Sequence, residues 1–134
     1  MKIRKLEARD FEGALRVWKD VTEEEPTKTR DYLPSFFKKN SEFCFVAENK
    51  NEIVGVVLGS FNGRAGYINR LAVKKDFQNQ GIASKLMEAV VSSMKKAEAP
   101  SIFLHCKQSL ASFYGKFGFE VDQKNIIMRL KIPK

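Results

Sequence analysis

Gln78-Asn79-Gln80-Gly81-Ile82-Ala83 is the stretch that decides how this chain folds. Before it lies an apolar, strand-like run from Tyr67 to Val73, and after it an amphipathic, helix-like run from Ser84 to Lys96. Ile82, Leu86, Val90 and Met94 form one stripe of that helix, with Met87 and Val91 beside it. A strand that turns into a helix through small residues leaves several backbone N–H groups unpaired and pointing the same way. With the positive end of the helix dipole, these donors make a site for a phosphate or pyrophosphate. Gly81 has no Cβ and Ala83 carries nothing beyond one, so a bulky anion can approach the main chain closely.

Working outward, the pattern predicts alternating strands and helices. Lys2 to Leu6 is a short strand, Asp10 an N-cap, and Phe11 to about Asp20 a helix carrying Phe11, Leu15, Trp18 and Val21. A second helix spans Asp31 to Lys39, with Pro34 tolerable only near its first turn. Phe43 to Ala47 and Glu52 to Phe61 form a hairpin across Asn49-Lys50-Asn51. Tyr67 to Val73, the helix after Gly81, and the strand Ser101 to Cys106 make a parallel, right-handed unit. A short helix from Ser109 to Phe117 ends at Gly118, and Phe119 to Val121 and Ile126 to Ile132 close the chain as two strands.

Composition narrows the function. A chain of 134 residues with 43% apolar content fits one compact domain over residues 1–134 with a real core. Lys and Arg number 24 against 16 Asp and Glu, a net charge of +8. That excess favours either anionic partners or plain solubility. The basic residues are spread along the chain, and no recognition-helix or zinc spacing is present, which argues against nucleic acid. No apolar run reaches the ~20 residues of a membrane span. The opening Met1-Lys2-Ile3-Arg4-Lys5 is followed by charge rather than by an apolar leader, so a cytoplasmic home is expected. His105 is the only histidine, and Cys44 and Cys106 lie in apolar stretches as small core residues. No metal site and no Ser-His-Asp arrangement is expected.

Three stretches together resemble the Gcn5-related N-acetyltransferase (GNAT) superfamily. They are the strand Tyr67-Ile68-Asn69-Arg70-Leu71-Ala72-Val73, the loop Gln78-Asn79-Gln80-Gly81-Ile82-Ala83, and Ala111-Ser112-Phe113-Tyr114-Gly115-Lys116-Phe117-Gly118-Phe119. The loop fits that family's Gln/Arg-x-x-Gly-x-Gly/Ala pattern. The likeness implies an α/β (α+β) fold, with a mixed, mostly antiparallel sheet of about six to seven strands, a splayed parallel central pair and about four flanking helices. It also implies acetyl-CoA (coenzyme A) as donor and an amine on a small molecule or a protein as acceptor, in a monomer or homodimer.

The resemblance assigns roles. The loop residues Gln78, Asn79, Gln80, Gly81, Ile82, Ala83 and Ser84 would hold the pyrophosphate, Gln78 through its side chain. The strand positions Leu71, Ala72 and Val73 would pair with the pantetheine arm as an added strand does. Lys107 stands near the arm where the family pattern suggests asparagine, Lys116 is the candidate for the 3′-phosphate, and Lys74, Lys75 or Lys85 supplement the field. Tyr114 is either the acid that meets the leaving thiolate or a core tyrosine beside Phe113, Phe117 and Phe119. No carboxylate lies on Tyr67 to Val73, so Tyr67 and Asn69 are the polar groups able to orient a water there. Glu23, Glu24, Glu25 and Tyr32 are candidates for drawing in a cationic amine, or form an ordinary charged loop. Direct attack in a ternary complex is the leading reading, because Cys106 lacks an adjacent base. A non-catalytic acyl-CoA-binding module is the alternative.

Overall fold

In a computed structural model, residues 1–22 and 27–133 are described. The elements are β1 (Lys2–Lys5), α1 (Phe11–Thr22), α2 (Thr27–Asn40), β2 (Cys44–Asn49), β3 (Glu52–Phe61), β4 (Gly66–Val73), α3 (Ile82–Lys96), β5 (Ile102–Leu104) and α4 (Ala111–Gly115). Among the described residues the five strands form one sheet in chain order. Its first four strands are antiparallel, and β4 and β5 are parallel, joined by the crossover through α3.

The β2–β3 hairpin turns through Lys50 and Asn51 alone, both with positive φ, the conformation that suits the right-handed twist of flanking strands. Beyond it β3 runs through Val54, Val56, Val57 and Leu58, all fully buried, because helices cover both faces of the sheet. On one face Ala14, Leu15, Val17 and Trp18 of α1 and Leu33 of α2 pack on Val46, Val56, Leu58 and Ala72. On the other, Ile82, Leu86, Met87, Val90 and Met94 of α3 pack on Ala47, Val54, Val57, Ile68 and Val73. The stripe predicted for α3 is therefore its buried face. The approach is close at Gly59, where a Cβ would stand 2.8 Å from Val90 Cγ2 and 2.9 Å from the Phe43 carbonyl oxygen.

Four expectations need correction. The sheet has five strands rather than six to seven. Phe119 to Val121 and Ile126 to Ile132 have the alternation of strands but pair with no neighbouring backbone; Phe119 packs part-buried on the core and the residues after it are exposed. The second helix begins at Thr27, which puts Pro34 inside it rather than in its first turn. Asp10 does not turn its carboxylate to α1: that group accepts the Glu7 N–H at 2.8 Å and a two-pronged contact from Arg4 at 2.8 and 2.9 Å. Cys44 is buried as expected, but Cys106 is exposed, because it lies past the end of β5 where the sheet has parted.

The Arg4–Asp10 contact fastens β1 to the start of α1, and Arg4 Nε also donates to Glu48 at 2.8 Å. Burial pushes the Asp10 carboxyl up, but the Arg4 and Glu7 hydrogen bonds prevail and hold it below the usual range. A lowered carboxylate stabilises the fold above the ordinary carboxylate pKa, and this contribution is lost as pH falls through its own lower value. Asp10→Ala is expected to cost about 2 kcal/mol, since it removes the two-pronged partner of a guanidinium that is only 13% exposed and leaves it to Glu48 and Glu7. Urea unfolding at pH 7 measures this, and the gap between variant and wild type should narrow progressively below about pH 4.

Candidate active site

The Gln78–Ala83 turn is built as a helix N-terminus with nothing over it. Gly81 caps α3 with φ 82°, in the left-handed region, and no side chain caps the helix. The helix's first bond runs from the Lys85 N–H to the Gly81 carbonyl at 3.2 Å. The amides of Ile82, Ala83 and Ser84 precede that bond and lack partners within the helix. A Cβ at Gly81 would meet no atom within 4 Å, so the space beyond it is open. The turn is held from two sides. The Gln78 side-chain amide donates to the Val73 carbonyl at 2.9 Å, and the Asp20 carboxylate accepts the Lys75 N–H at 2.8 Å.

Next to this turn the sheet opens. β4 and β5 pair at Gly66–Ile102, Tyr67–Phe103 and Ile68–Leu104, and no pairs follow. The rest of β4, Asn69 to Val73, diverges from His105, Cys106 and Lys107. The wedge so formed ends beside the N-terminus of α3. α4 carries Tyr114, half-buried and near Cys106, with ring centroids 5.0 Å from Phe113 and 6.3 Å from Phe119. Burial pushes the phenol up, and a charge on the nearby Cys106 thiol would raise it further. The phenol therefore keeps its proton across the physiological range. Burial also raises the Cys44 thiol, to about 11, which makes it a poor nucleophile.

A bulge sits in the wall of the wedge. Leu58 pairs with Arg70 and Gly59 with Ile68, leaving Asn69 as the extra residue. The bulge turns Tyr67 and Asn69 to the face covered by α1 and α2, and both are exposed. Ser60 Oγ donates to Asn69 Oδ1 at 2.9 Å, so the amide NH₂ is the end of Asn69 directed away from Ser60. The Tyr67 and Phe103 rings lie 5.6 Å apart. Further along the same face the Arg70 guanidinium stacks over Trp18 at 4.8 Å. Trp18 Nε1 is buried with no hydrogen-bond partner among the described residues.

Tyr67, Asn69, Leu71, Ala72 and Val73 lie along β4, with Ala72 and Val73 buried, the 78–84 turn follows that strand, and Tyr114 lies on α4 near Cys106. Gln78 is exposed, and its side-chain amide is taken up by the Val73 carbonyl. Lys107 and Lys116 are exposed at the two ends of the α4 segment, and Tyr32 is exposed on α2. Lys74 pairs with Glu52 at 3.6 Å, while Lys75 and Lys85 are exposed. Glu23, Glu24 and Glu25 lie outside the described residues. Sequence reasoning missed the bulge, Ser60 and the Arg70–Trp18 stack. A glycine inside the apolar strand, Gly59, was the available sign of the bulge.

The family model described as "Acetyltransferase (GNAT) family" matches residues 2–119. The chain belongs to the GNAT family. An acetyltransferase of Pectobacterium atrosepticum is 27% identical over 90% of this chain and 88% of its own length. N-alpha-acetyltransferase 30 of Schizosaccharomyces pombe is 35% identical over 58% of this chain, a match that spans 57% of the yeast protein. The crystal structure of Ard1 from Thermoplasma volcanium superposes with a TM-score of 0.79 at 25% identity, covering 90% of this chain and 83% of that one. By this membership the chain is an acyltransferase, and members of the family take their acetyl group from acetyl-CoA.

Gly81→Ala tests the turn. It forces a side chain into the left-handed region at about 1–2 kcal/mol of stability and puts a methyl group into the open space. Coenzyme A affinity should fall roughly tenfold, about 1.4 kcal/mol, measured by isothermal titration.

Proposed function

We propose that this GNAT protein transfers an acetyl group from acetyl-CoA to an amine by direct attack in a ternary complex, and that its preferred acceptor is a peptide α-amine. The observation that carries the transfer reading is the open N-terminus of α3 at the end of the β4–β5 wedge. Acetyl-CoA presents a pyrophosphate, an extended amide arm and an acyl thioester. Unpaired amides at Ile82–Ser84, open space at Gly81 and unpaired β4 backbone from Asn69 onward suit the first two. On this reading Tyr114 of α4, near Cys106, meets the thioester sulfur.

Tyr114 then acts on the leaving sulfur. A thiol near pKa ~8.5 and a phenol near ~10 make full proton transfer uphill by about 2 kcal/mol, and the raised phenol makes it more so. Tyr114 therefore works mainly by donating a hydrogen bond to the departing thiolate. Cys44 and Cys106 have no part, one buried with a raised pKa and the other without an adjacent base.

The acceptor face supports the choice of amine. β4 carries no carboxylate, and the groups there are Tyr67 and the donor end of Asn69. A lysine side chain at pKa ~10.4 costs about 4.6 kcal/mol to deprotonate at pH 7, whereas an α-amine at ~7.8 costs about 1 kcal/mol. A strand without a carboxylate suits the α-amine. Asn69 NH₂ suits a peptide carbonyl, and Tyr67 and Phe103 offer an aromatic wall. The name of the yeast relative points the same way.

Release of free thiol from acetyl-CoA across a panel of peptides, polyamines, amino acids and aminoglycosides tests the whole. Turnover is expected with peptide α-amines, with kcat/KM rising to a plateau above about pH 8. A profile still climbing at pH 10 would instead identify a lysine-like acceptor. Binding without consumption of any amine would favour the non-catalytic alternative. Tyr114→Phe should lower kcat by about 10²-fold with coenzyme A affinity little changed. Unchanged turnover would remove Tyr114 from its role.

A further inference from the structure

A cavity of about 260 Å³ lies between the start of α1 and the β2–β3 hairpin, and the active site does not use it. None of its lining residues belongs to β4, to the 78–84 turn or to α4. The volume is just below the roughly 300–1,000 Å³ of sites for drug-sized ligands, so it suits a small molecule. Only Gly13 and Ile53 on its wall are apolar. A Cβ at Gly13 would stand 2.8 Å from Ile53 Cγ1, so α1 and β3 touch there and the space opens beside their contact.

The charges on the wall are sorted by element. Arg9 and Arg16 come from α1 and the turn that leads into it, and Glu48 and Glu52 come from the hairpin. Arg4 and Asp10 also line the cavity but are occupied with each other: Asp10 is 5% exposed and takes both prongs of the Arg4 guanidinium. The other four groups keep capacity. Arg16 is exposed, with no hydrogen bond and no ion pair within 4 Å among the described residues. Glu12, one turn before it, feels its charge but is hydrogen-bonded by Arg30. Arg9 uses one nitrogen, on Glu7 at 2.9 Å, in an exposed pair. Glu48 Oε1 takes both Arg4 contacts, at 2.8 and 2.7 Å, which leaves Oε2 without one. Glu52 meets Lys74 at 3.6 Å, and half of its side chain is exposed. An exposed pair of this kind is weak and readily exchanged.

Opposite charges that face one cavity attract across it. Yet no ion pair within 4 Å joins Arg9 or Arg16 to Glu48 or Glu52 among the described residues. The gap between them is the cavity itself. An anion there would also meet the two glutamates, and a cation the two arginines, so a molecule carrying both charges satisfies both walls at once. We propose that this cavity binds a free α-amino acid, with its carboxylate on Arg9 and Arg16 and its ammonium on Glu48 Oε2 and Glu52. Guanidinium and carboxylate match in shape and form paired, charge-assisted hydrogen bonds. The ammonium has three donors to share between the two glutamates. The largely polar wall favours an amino acid with a polar side chain.

This inference does not rest on the acetyl-transfer reading, and its test needs no coenzyme. The ¹⁵N-labelled full chain is titrated at pH 7 with each of the twenty common L-amino acids, and the backbone amides are followed. At least one should give saturable shifts at Gly13, Glu48, Asn51 and Glu52 while Asn69 and Ile82 to Ser84 stay still. The α-amide and the N-acetyl derivative of that amino acid each lack one charge and should bind about tenfold more weakly or worse. Arg16→Gln and Glu52→Gln replace exposed side chains, and each should weaken binding about tenfold with the thermal midpoint little changed. No saturable shift with any of the twenty would overturn the inference. So would shifts confined to β4, which would put the amino acid in the acceptor site. Equal binding of the N-acetyl derivative, or variants that bind as wild type does, would overturn it as well.

Discussion

The molecule is organised around one unsatisfied helix end. α3 begins at a glycine held in the left-handed conformation, which side chains disfavour, and its first amides are offered to the space beyond. Leaving such donors unpaired has a cost, because a backbone N–H seeks a partner wherever it lies. The fold can carry it because the rest of α3 is anchored by Leu86, Met87, Val90 and Met94, none of which is exposed at all. Gln78 and Asp20 fix the turn from opposite sides, so the donors are held in place before any ligand arrives. A site prepared in this way spends little binding energy on ordering itself.

The wedge between β4 and β5 and the bulge at Asn69 belong to the same construction. Parallel strands that stay paired throughout would leave no backbone free beside the α3 terminus. The parting after Ile68 exposes β4 where an amide chain can lie along it. The bulge then turns Asn69 to the opposite face, so on the proposed reading donor and acceptor approach from different sides of the sheet. β4 itself supplies there a hydrogen-bond donor in Asn69 and an aromatic wall in Tyr67, but no carboxylate. The proposed chemistry is accordingly that of an amine already close to neutral, attacking an acyl group whose leaving atom is met by a phenol.

Much of this was legible in the chain. The α3 stripe, the small residues at 81 and 83, and the order of elements through Phe119 follow from periodicity and turn chemistry. The hairpin through Lys50 and Asn51 was marked by its asparagines. What was not legible depended on partners distant in sequence. The Asn69 bulge is a register shift between two strands, and only Gly59 hinted at it. Asp10 had the look of a cap, yet Arg4 and Glu7 claim its carboxylate. Cys106 had core neighbours in sequence but sits where the sheet has already parted. Ile126 to Ile132 was legible as a strand by pattern, and pattern cannot say which edge a strand will meet.

The central claim is that main-chain donors at the start of α3 receive the coenzyme's phosphates. The direct measurement is a titration of ¹⁵N-labelled protein with coenzyme A, following the backbone amides. The account predicts saturable, concerted shifts at Ile82, Ala83 and Ser84, reduced when pantetheine lacking the nucleotide is used instead. Coenzyme A that binds while these three amides stay unmoved would contradict it.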